Sequence, residues 1–411
     1  MMARDVREGG TAILDEPADE SIAPNSVEEV VSAFRERARR GGAIAIVGGA
    51  TEIGFGYPPE RIATLVRTER MTRVVEYAPA DMVVTVEAGI TLDALQTVLA
   101  QEGQRLALDA PRSGFATIGG LLATNAFGPR RARYGTLRDL IVGISLVRAD
   151  GTLVRGGGKV VKNVAGFDVP KVMVGSLGTL GLIGTATFRL HPKPEREQWY
   201  AIPGRSVADV RALARGLLER RLEAAAVVAL AAEDAYDAYV LFEGFGAGVE
   251  SQGSRLREFC AAEFEVDARR IESQTDVDVA RLDEDARTFG SVRLRLSVPP
   301  SALPEIEREA IRPLRKAFTT SKCSLYPLTG HAFLGGYPFD ANAFERAFTI
   351  SRILAERAGG NLVVLDCEER GLRDRIDPFG TLPPSFPIMR RLKERFDPER
   401  RLNPGRFLGR L

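Results

Sequence analysis

The chain has 411 residues, more than one average hydrophobic core organises, so two domains are expected. Its 56 basic and 55 acidic side chains nearly cancel, leaving no global field to attract nucleic acid or an anionic membrane. With three cysteines, none in CxxC spacing, and two histidines, the chain by itself cannot build an iron–sulfur cluster, a thiolate zinc site or a multi-histidine metal centre.

No apolar run approaches the roughly 20 residues that cross a bilayer, and residues 1–24 are polar and acidic without a signal-peptide core. The expected address is cytoplasmic. Cys260, Cys323 and Cys367 read as small buried hydrophobes. A Ser-His-Asp triad would have to rest on His191 or His331, and His191, ahead of Pro192 at the end of a strand-like run, reads as structural.

In chain order, residues 26–39 predict an amphipathic helix with Val27, Val30, Val31 and Phe34 on one face. A short apolar strand at 43–47 ends at a glycine pair, and strands follow at 62–66, 74–77 and 82–88. Thr91 can cap a helix over 92–101. Strands recur at 142–148, 152–155 and 182–190, the first two joined by the hairpin turn Asp150-Gly151. Residues 193–197 form a charged, proline-bearing boundary. Beyond it come helices at 206–220, 249–264, 304–318 and 342–358, with strands at 225–230, 238–243, 291–298 and 361–365. The fold class is α+β, with a second α/β sandwich on an antiparallel sheet. The expected domains are a polar tail 1–20, a first domain 21–194, a second domain 195–382 and a terminal segment 383–411. That segment holds a basic helix, 388–396, then Asp397-Pro398 and Asn403-Pro404-Gly405.

Three glycine clusters carry the chemistry. They are Gly48-Gly49-Ala50-Thr51, then Thr117-Ile118-Gly119-Gly120 running to Thr124-Asn125, then 162–168 running to Gly175-Ser176-Leu177-Gly178-Thr179-Leu180-Gly181. Glycine lets bare backbone approach a ligand and turn its amides toward an anion, so three such loops in one domain point to a long phosphate-bearing ligand. No G-x-G-x-x-G hexad exists; Gly244-Phe245-Gly246-Ala247-Gly248 lacks the last glycine. The P-loop pattern also fails, because Gly158-Lys159 is followed by Val160. Phosphate binding by loop amides remains, with Thr51 as a hydroxyl donor and the start of the 121–123 helical stretch as a second set of amides.

In order and spacing, these residues resemble FAD-binding oxidoreductases of the vanillyl-alcohol-oxidase, or p-cresol methylhydroxylase, type, over about 21–194 and again at Phe396-Asp397-Pro398 and Asn403-Pro404-Gly405. Gly128-Pro129-Arg130-Arg131, Arg138-Asp139 and the 162–168 run resemble more narrowly the FAD-binding subunits of bacterial glycolate oxidases. The resemblance implies a two-subdomain FAD-binding domain. It assigns Gly48, Gly49, Ala50 and Thr51 to the pyrophosphate. Pro111, Ser113, Thr117, Gly119, Gly120, Thr124 and Asn125 then line the cofactor toward the flavin, and Gly181 and Ile183 reach the ribityl and ring. Some relatives attach FAD through a histidine near the first loop; Ala50 and Glu52 stand in that neighbourhood here, so non-covalent FAD is implied.

The relatives that oxidise 2-hydroxy acids carry a His-x-His cluster and a further histidine, which this chain cannot supply. Such oxidation needs a cation for the carboxylate, a base for the hydroxyl proton and the flavin N5 as hydride acceptor. Candidate cations are Arg112, Arg130, Arg131, Lys159 and Lys162, and His331 is the one histidine on the substrate side. Two readings stay open. The chain is a catalytic dehydrogenase of glycolate, D-lactate or a similar acid, or it is an electron-relaying subunit. In the second case the resemblance implies a second FAD-containing catalytic subunit and an iron–sulfur subunit, partners that could hold the chain at the inner membrane face. A sugar-nucleotide reductase on the same fold is disfavoured by chain length and the Asn-Pro-Gly return.

Overall fold

A computed structural model describes residues 10, 12–158, 168–272 and 277–411. These divide into two units, the first holding the chain up to Gly128 with Gly135–Lys193 and Thr381–Leu411, the second holding Pro129–Tyr134 and Pro194–Gly380.

In the first unit, the helix Val27–Arg40 begins where the Ser26 hydroxyl accepts a hydrogen bond from the Glu29 amide at 3.2 Å. Glu28 and Glu29 in its first turn and Arg37, Arg39 and Arg40 in its last suit the helix dipole. Its buried face, Val27, Val30 and Phe34, packs against Ile44 and Val66 of one sheet and Val147 and Leu182 of another. Burial of each such side chain stabilises by roughly 1.5–3 kcal/mol, so this one helix joins the two sheets.

The smaller sheet runs Ala12–Ile13, Glu16–Ile22, Ile62–Arg67, Ile44–Val47, and its last three strands are parallel. All six residues of Ile62–Arg67 are buried, as expected of a central parallel strand covered on both faces. The larger sheet is antiparallel, in the order Val74–Ala78, Val83–Glu87, Leu182–Arg189, Ile141–Val147, Leu153–Gly157. Asp150 and Gly151 turn the last hairpin: Gly151 has φ +76°, and Asp150 Oδ1 accepts from the Thr152 amide at 2.9 Å.

The terminal segment adds to the smaller sheet. The Ile44 amide donates to the Arg401 carbonyl at 2.7 Å, and the Asn403 amide donates to the Ile44 carbonyl at 2.8 Å. A buried ion pair anchors it. Lys393 Nζ, from the helix Phe386–Phe396, lies 2.6 Å from Asp397 Oδ2 and also donates to the carbonyls of Thr179 and Leu402.

The second unit is built on an eight-stranded antiparallel sheet: Arg269–Arg270, Arg196–Arg205, Tyr236–Gly244, Ala226–Ala231, Phe318–Tyr326, His331–Pro338, Val292–Ser297, Asn361–Cys367. Strand residues such as Ile202, Val240, Leu325 and Leu334 share one core with the helices Val207–Glu219, Gly246–Phe264 and Ala341–Arg357. The alternate residues, including Ala201 and Tyr239, face the helix Val279–Thr288 on the other side.

Several elements depart from the sequence reading. The expected helix over 304–318 ends at Arg315, contains a π turn at Glu307–Ile311, and gives way to a strand at Phe318. Pro313 explains the wide turn, since it has no amide and its ring crowds the carbonyl four residues back, at Glu309 inside that turn. Residues 196–197 belong to a ten-residue strand and not to a linker. The hairpin Phe318–Tyr326 and His331–Pro338 is unexpected because Gly335 and Gly336 disguise a strand. A Cβ on Gly335 would collide with the Phe289 carbonyl, which is why glycine stands there. The helix Val279–Thr288 escapes a hydrophobic-pattern reading because its buried face includes Asp283 and Arg287.

Candidate functional site

A cleft opens within the first unit. Its walls come from the glycine segments that the sequence singled out, brought together by the two sheets. Gly48, Gly49, Ala50 and Thr51 follow the strand Ile44–Val47; Thr117, Gly119, Gly120 and Thr124 belong to the helix Ile118–Thr124 and its cap; Gly178 and Gly181 lead into the strand Leu182–Arg189, which holds Ile183. Pro111, Ser113 and Asn125 are not on the wall. Asn125 instead caps the helix in the left-handed conformation, φ +52°, and its Oδ1 is buried without a hydrogen-bond partner. No histidine or cysteine lines the cleft.

The glycines are needed for a reason additional to ligand approach. A Cβ on Gly48 would strike the Thr117 hydroxyl, and one on Gly49 would strike the Phe115 carbonyl. The two loops clasp each other at bare backbone. Thr117 Oγ1 sits at the centre of this contact, 3.3 Å from both the Gly49 and Gly120 amides.

The amides are unequally available. The helix start, expected to offer donors to an anion, has spent them: Ile118 N donates to the Ile90 carbonyl at 2.9 Å, Gly119 N to Ala88 at 2.7 Å, and Gly120 N to Thr117 Oγ1. Thr124 Oγ1 likewise donates to the Gly120 carbonyl at 3.0 Å. This segment shapes the cleft. Among the described residues, the amides of Gly48, Ala50 and Thr51 meet no protein acceptor, so the first loop is the one with donors to give. Ala50 is left-handed, φ +53°, which helps turn successive amides the same way.

The cleft also holds two residues that the sequence reading missed as side chains. Asn403 accepts from the Ile46 amide at 3.1 Å and donates to the Leu177 carbonyl at 2.7 Å, tying the first and third loops together. Arg406 is 5% exposed. Its Nη2 donates to the carbonyls of Ile53 and Phe55, both at 2.8 Å, while its buried Nη1 has no hydrogen-bond partner among the described residues. Burial alone pushes its guanidinium down to about 10, and no carboxylate offsets this. Only the Asn-Pro-Gly turn before it could have drawn attention to this arginine.

Other candidates fare differently. Arg112 donates to the Thr51 carbonyl at 3.3 Å and is not on the cleft wall. Lys159 and Lys162, with most of the 162–168 motif, lie outside the described residues. In the second unit, Arg130 is paired with Glu197 at 2.9 Å and with the fully buried Glu243 at 3.2 Å, so its charge is already balanced. Arg131 Nη1 lies 3.2 Å from His331 Nε2, and His331 Nδ1 lies 3.0 Å from Thr329 Oγ1. Since an arginine can only donate, His331 Nε2 is the acceptor and Nδ1 carries the proton. Burial first, then Arg131 and Arg295, push the imidazole down to about 3. It is therefore neutral, with its lone pair engaged. That argues against the general-base role considered for His331.

Among the described residues no group of His, Cys, Asp and Glu could hold a metal, and no helix is long and apolar enough to cross a membrane.

A glycine-walled cleft beside a small parallel sheet, joined to a five-stranded antiparallel sheet, is the p-cresol methylhydroxylase-type FAD-binding fold, and FAD is the cofactor. Residues 18–157 match the FAD binding domain family. D-lactate dehydrogenase of Archaeoglobus fulgidus is 27% identical over 418 residues, covering 95% of this chain and 91% of that protein. The glycolate oxidase subunit GlcE of Escherichia coli is 35% identical over 152 residues, 37% of this chain and 43% of that subunit. A solved structure of alkyldihydroxyacetonephosphate synthase shares the fold with a TM-score of 0.73 at 17% identity, covering 94% of this chain and 77% of that one. The donor set fits FAD: free loop amides and an uncompensated arginine suit the pyrophosphate, and an apolar, glycine-lined wall suits a flat ring.

Proposed function

We propose that this chain is an FAD-dependent oxidoreductase acting on 2-hydroxy acids, working as the FAD-binding subunit of a glycolate oxidase or dehydrogenase complex. In this reading Gly48, Ala50 and Thr51 hold the pyrophosphate through their amides, Thr117 fixes the loop, and Gly119, Gly120, Gly181 and Ile183 give the flat surface for the rest of the cofactor. Thr124 contributes shape. Bound FAD supplies a two-electron acceptor. With neither histidine nor cysteine on the cleft wall, the flavin is held without a covalent bond.

The observation that carries the subunit reading is the state of His331. A base that takes the hydroxyl proton needs a free lone pair and a pKa near working pH, and His331 offers neither. The histidine-poor chain then needs a partner for substrate oxidation, a second FAD-containing subunit, and an iron–sulfur subunit to take the electrons onward. A second reading, a stand-alone D-lactate or other 2-hydroxy-acid dehydrogenase, is favoured by the likeness to the archaeal D-lactate dehydrogenase along nearly the whole chain. Under it, a carboxylate or a water must do the work of the base.

The deciding experiment is anaerobic titration of the purified yellow chain with glycolate, D-lactate and D-2-hydroxyglutarate. The subunit reading expects no bleaching at 450 nm (roughly the flavin band) by the isolated chain and full bleaching with its co-purifying partners. Rapid bleaching of the isolated chain would establish the stand-alone reading instead. Acid should release all flavin into the supernatant; flavin that stays with the precipitate would overturn non-covalent binding.

A further inference from the structure

Arg406 is a buried cation in the wall of the cofactor cleft with half of its fork unused. Nη2 straps the carbonyls of Ile53 and Phe55, just beyond the glycine loop, and the Arg406 carbonyl accepts from the Tyr57 amide at 3.0 Å. The guanidinium is thus fixed against the 53–57 turn. Its Nη1 faces no acceptor within the described residues, and the charge has no carboxylate partner. A buried unpaired cation is costly enough that folds rarely keep one without a ligand to meet it. The chain elsewhere pairs its buried cations, as Lys393 with Asp397 and Arg287 with Asp283. The same cleft wall presents the free amides of Gly48, Ala50 and Thr51.

We infer that Arg406 is the counter-charge for the FAD pyrophosphate, its Nη1 donating to a phosphate oxygen while Nη2 holds the glycine loop in place. This rests on the placement of the pyrophosphate at Gly48–Thr51. It gives the terminal segment a role in cofactor binding, since Asn403 and Arg406 line the same cleft as the glycine loop. Selectivity follows as well. A ligand with a pyrophosphate satisfies both the loop amides and the arginine, whereas riboflavin satisfies neither.

The test is FAD binding to the flavin-depleted full-length chain, read by flavin fluorescence and not by turnover. R406Q removes the charge and leaves a shorter polar side chain, so its Kd for FAD should rise about 10–100-fold, the range expected for loss of a charge-assisted bond. R406K, which keeps the charge but not the fork, should recover part of that loss. Inorganic pyrophosphate alone should raise the Tm of the wild-type apoprotein and leave R406Q unmoved. Binding by R406Q within about threefold of wild type would overturn the inference, as would an equal pyrophosphate-induced rise in Tm for wild type and R406Q, which would make the arginine a loop strap only. Should the variants not fold, a crystal structure of the wild-type chain with FAD decides: Nη1 within hydrogen-bond distance of a phosphate oxygen is expected, and a water or carboxylate on Nη1 with the pyrophosphate elsewhere refutes it. Failure of the wild type to bind FAD would instead overturn the cofactor reading itself.

Discussion

The cofactor cleft of the first unit and the His331 face of the second use polar groups in opposite ways. In the cleft, three loop amides and one guanidinium nitrogen meet no acceptor among the described residues. Around His331, charged and polar side chains engage one another: Arg131 donates to the imidazole, and on the same sheet face Asp283 accepts from Ser324 at 2.5 Å and Tyr326 at 2.6 Å and pairs with Arg287 at 3.6 Å. Both regions are buried and charged. What separates them is charge pairing and unspent backbone: Arg287 is matched by Asp283, whereas the cleft keeps an arginine with no carboxylate beside loop amides that meet no acceptor among the described residues, and that is where an anionic ligand gains binding energy.

The strongest way to break this contrast is to spoil the saturated anchor of the cleft's terminal segment. Asp397→Asn removes the charge that balances buried Lys393, and the Asp397 side chain also accepts from the Arg401 and Leu402 amides. Loss of about 3–5 kcal/mol in urea unfolding is expected. A loss below 1 kcal/mol would mean that the pair is not what seats residues 401–406.

Next in size is an acid effect in the second unit. His331 takes a proton in the unfolded chain near pH 6.5 but in the fold only near about 3, so its contribution is complete above 6.5 and is lost as the pH falls toward 3. Between pH 6.5 and 4.5 this group should cost about 2–3 kcal/mol. His331→Gln should remove that part of the pH slope, and identical slopes in both proteins would show that the imidazole is not held neutral.

Gly49→Ala tests the clasp between loops. Its Cβ meets the Phe115 carbonyl, a backbone atom that cannot swing away, so about 1–3 kcal/mol of stability should go, together with FAD affinity. Retained affinity at full stability would show that the loops separate without cost.

The smallest effect sharpens the contrast inside the cleft. Thr124→Val keeps the shape and deletes a hydroxyl already spent on the Gly120 carbonyl, so FAD affinity should shift by less than about threefold. A larger loss would mean that Thr124 turns from the helix to the cofactor.

Much of this was legible in the sequence because local chemistry carries it. Thr91 caps its helix as its position predicts, Asp150-Gly151 turns its hairpin, and the glycine pairs mark places where backbone meets backbone. Other features depend on neighbours distant in the chain. Gly335 and Gly336 conceal a strand because Phe289, Phe318 and Thr320 crowd them, and the helix Val279–Thr288 buries an aspartate and an arginine that composition assigns to solvent.

The same division runs through the site. Sequence by itself determined which segments are glycine-rich and phosphate-compatible, since a glycine's permissiveness is a property of the residue. It also determined that no histidine cluster exists. Tertiary structure decided which amides remain unspent: those of Gly48, Ala50 and Thr51 meet no acceptor among the described residues, while those of Ile118, Gly119 and Gly120 are consumed by neighbouring backbone and by Thr117. Only tertiary structure could bring Arg406 to the loop that begins at Gly48. Hydrogen-bond satisfaction is a sum over spatial neighbours, and the neighbour that matters here lies more than three hundred residues away.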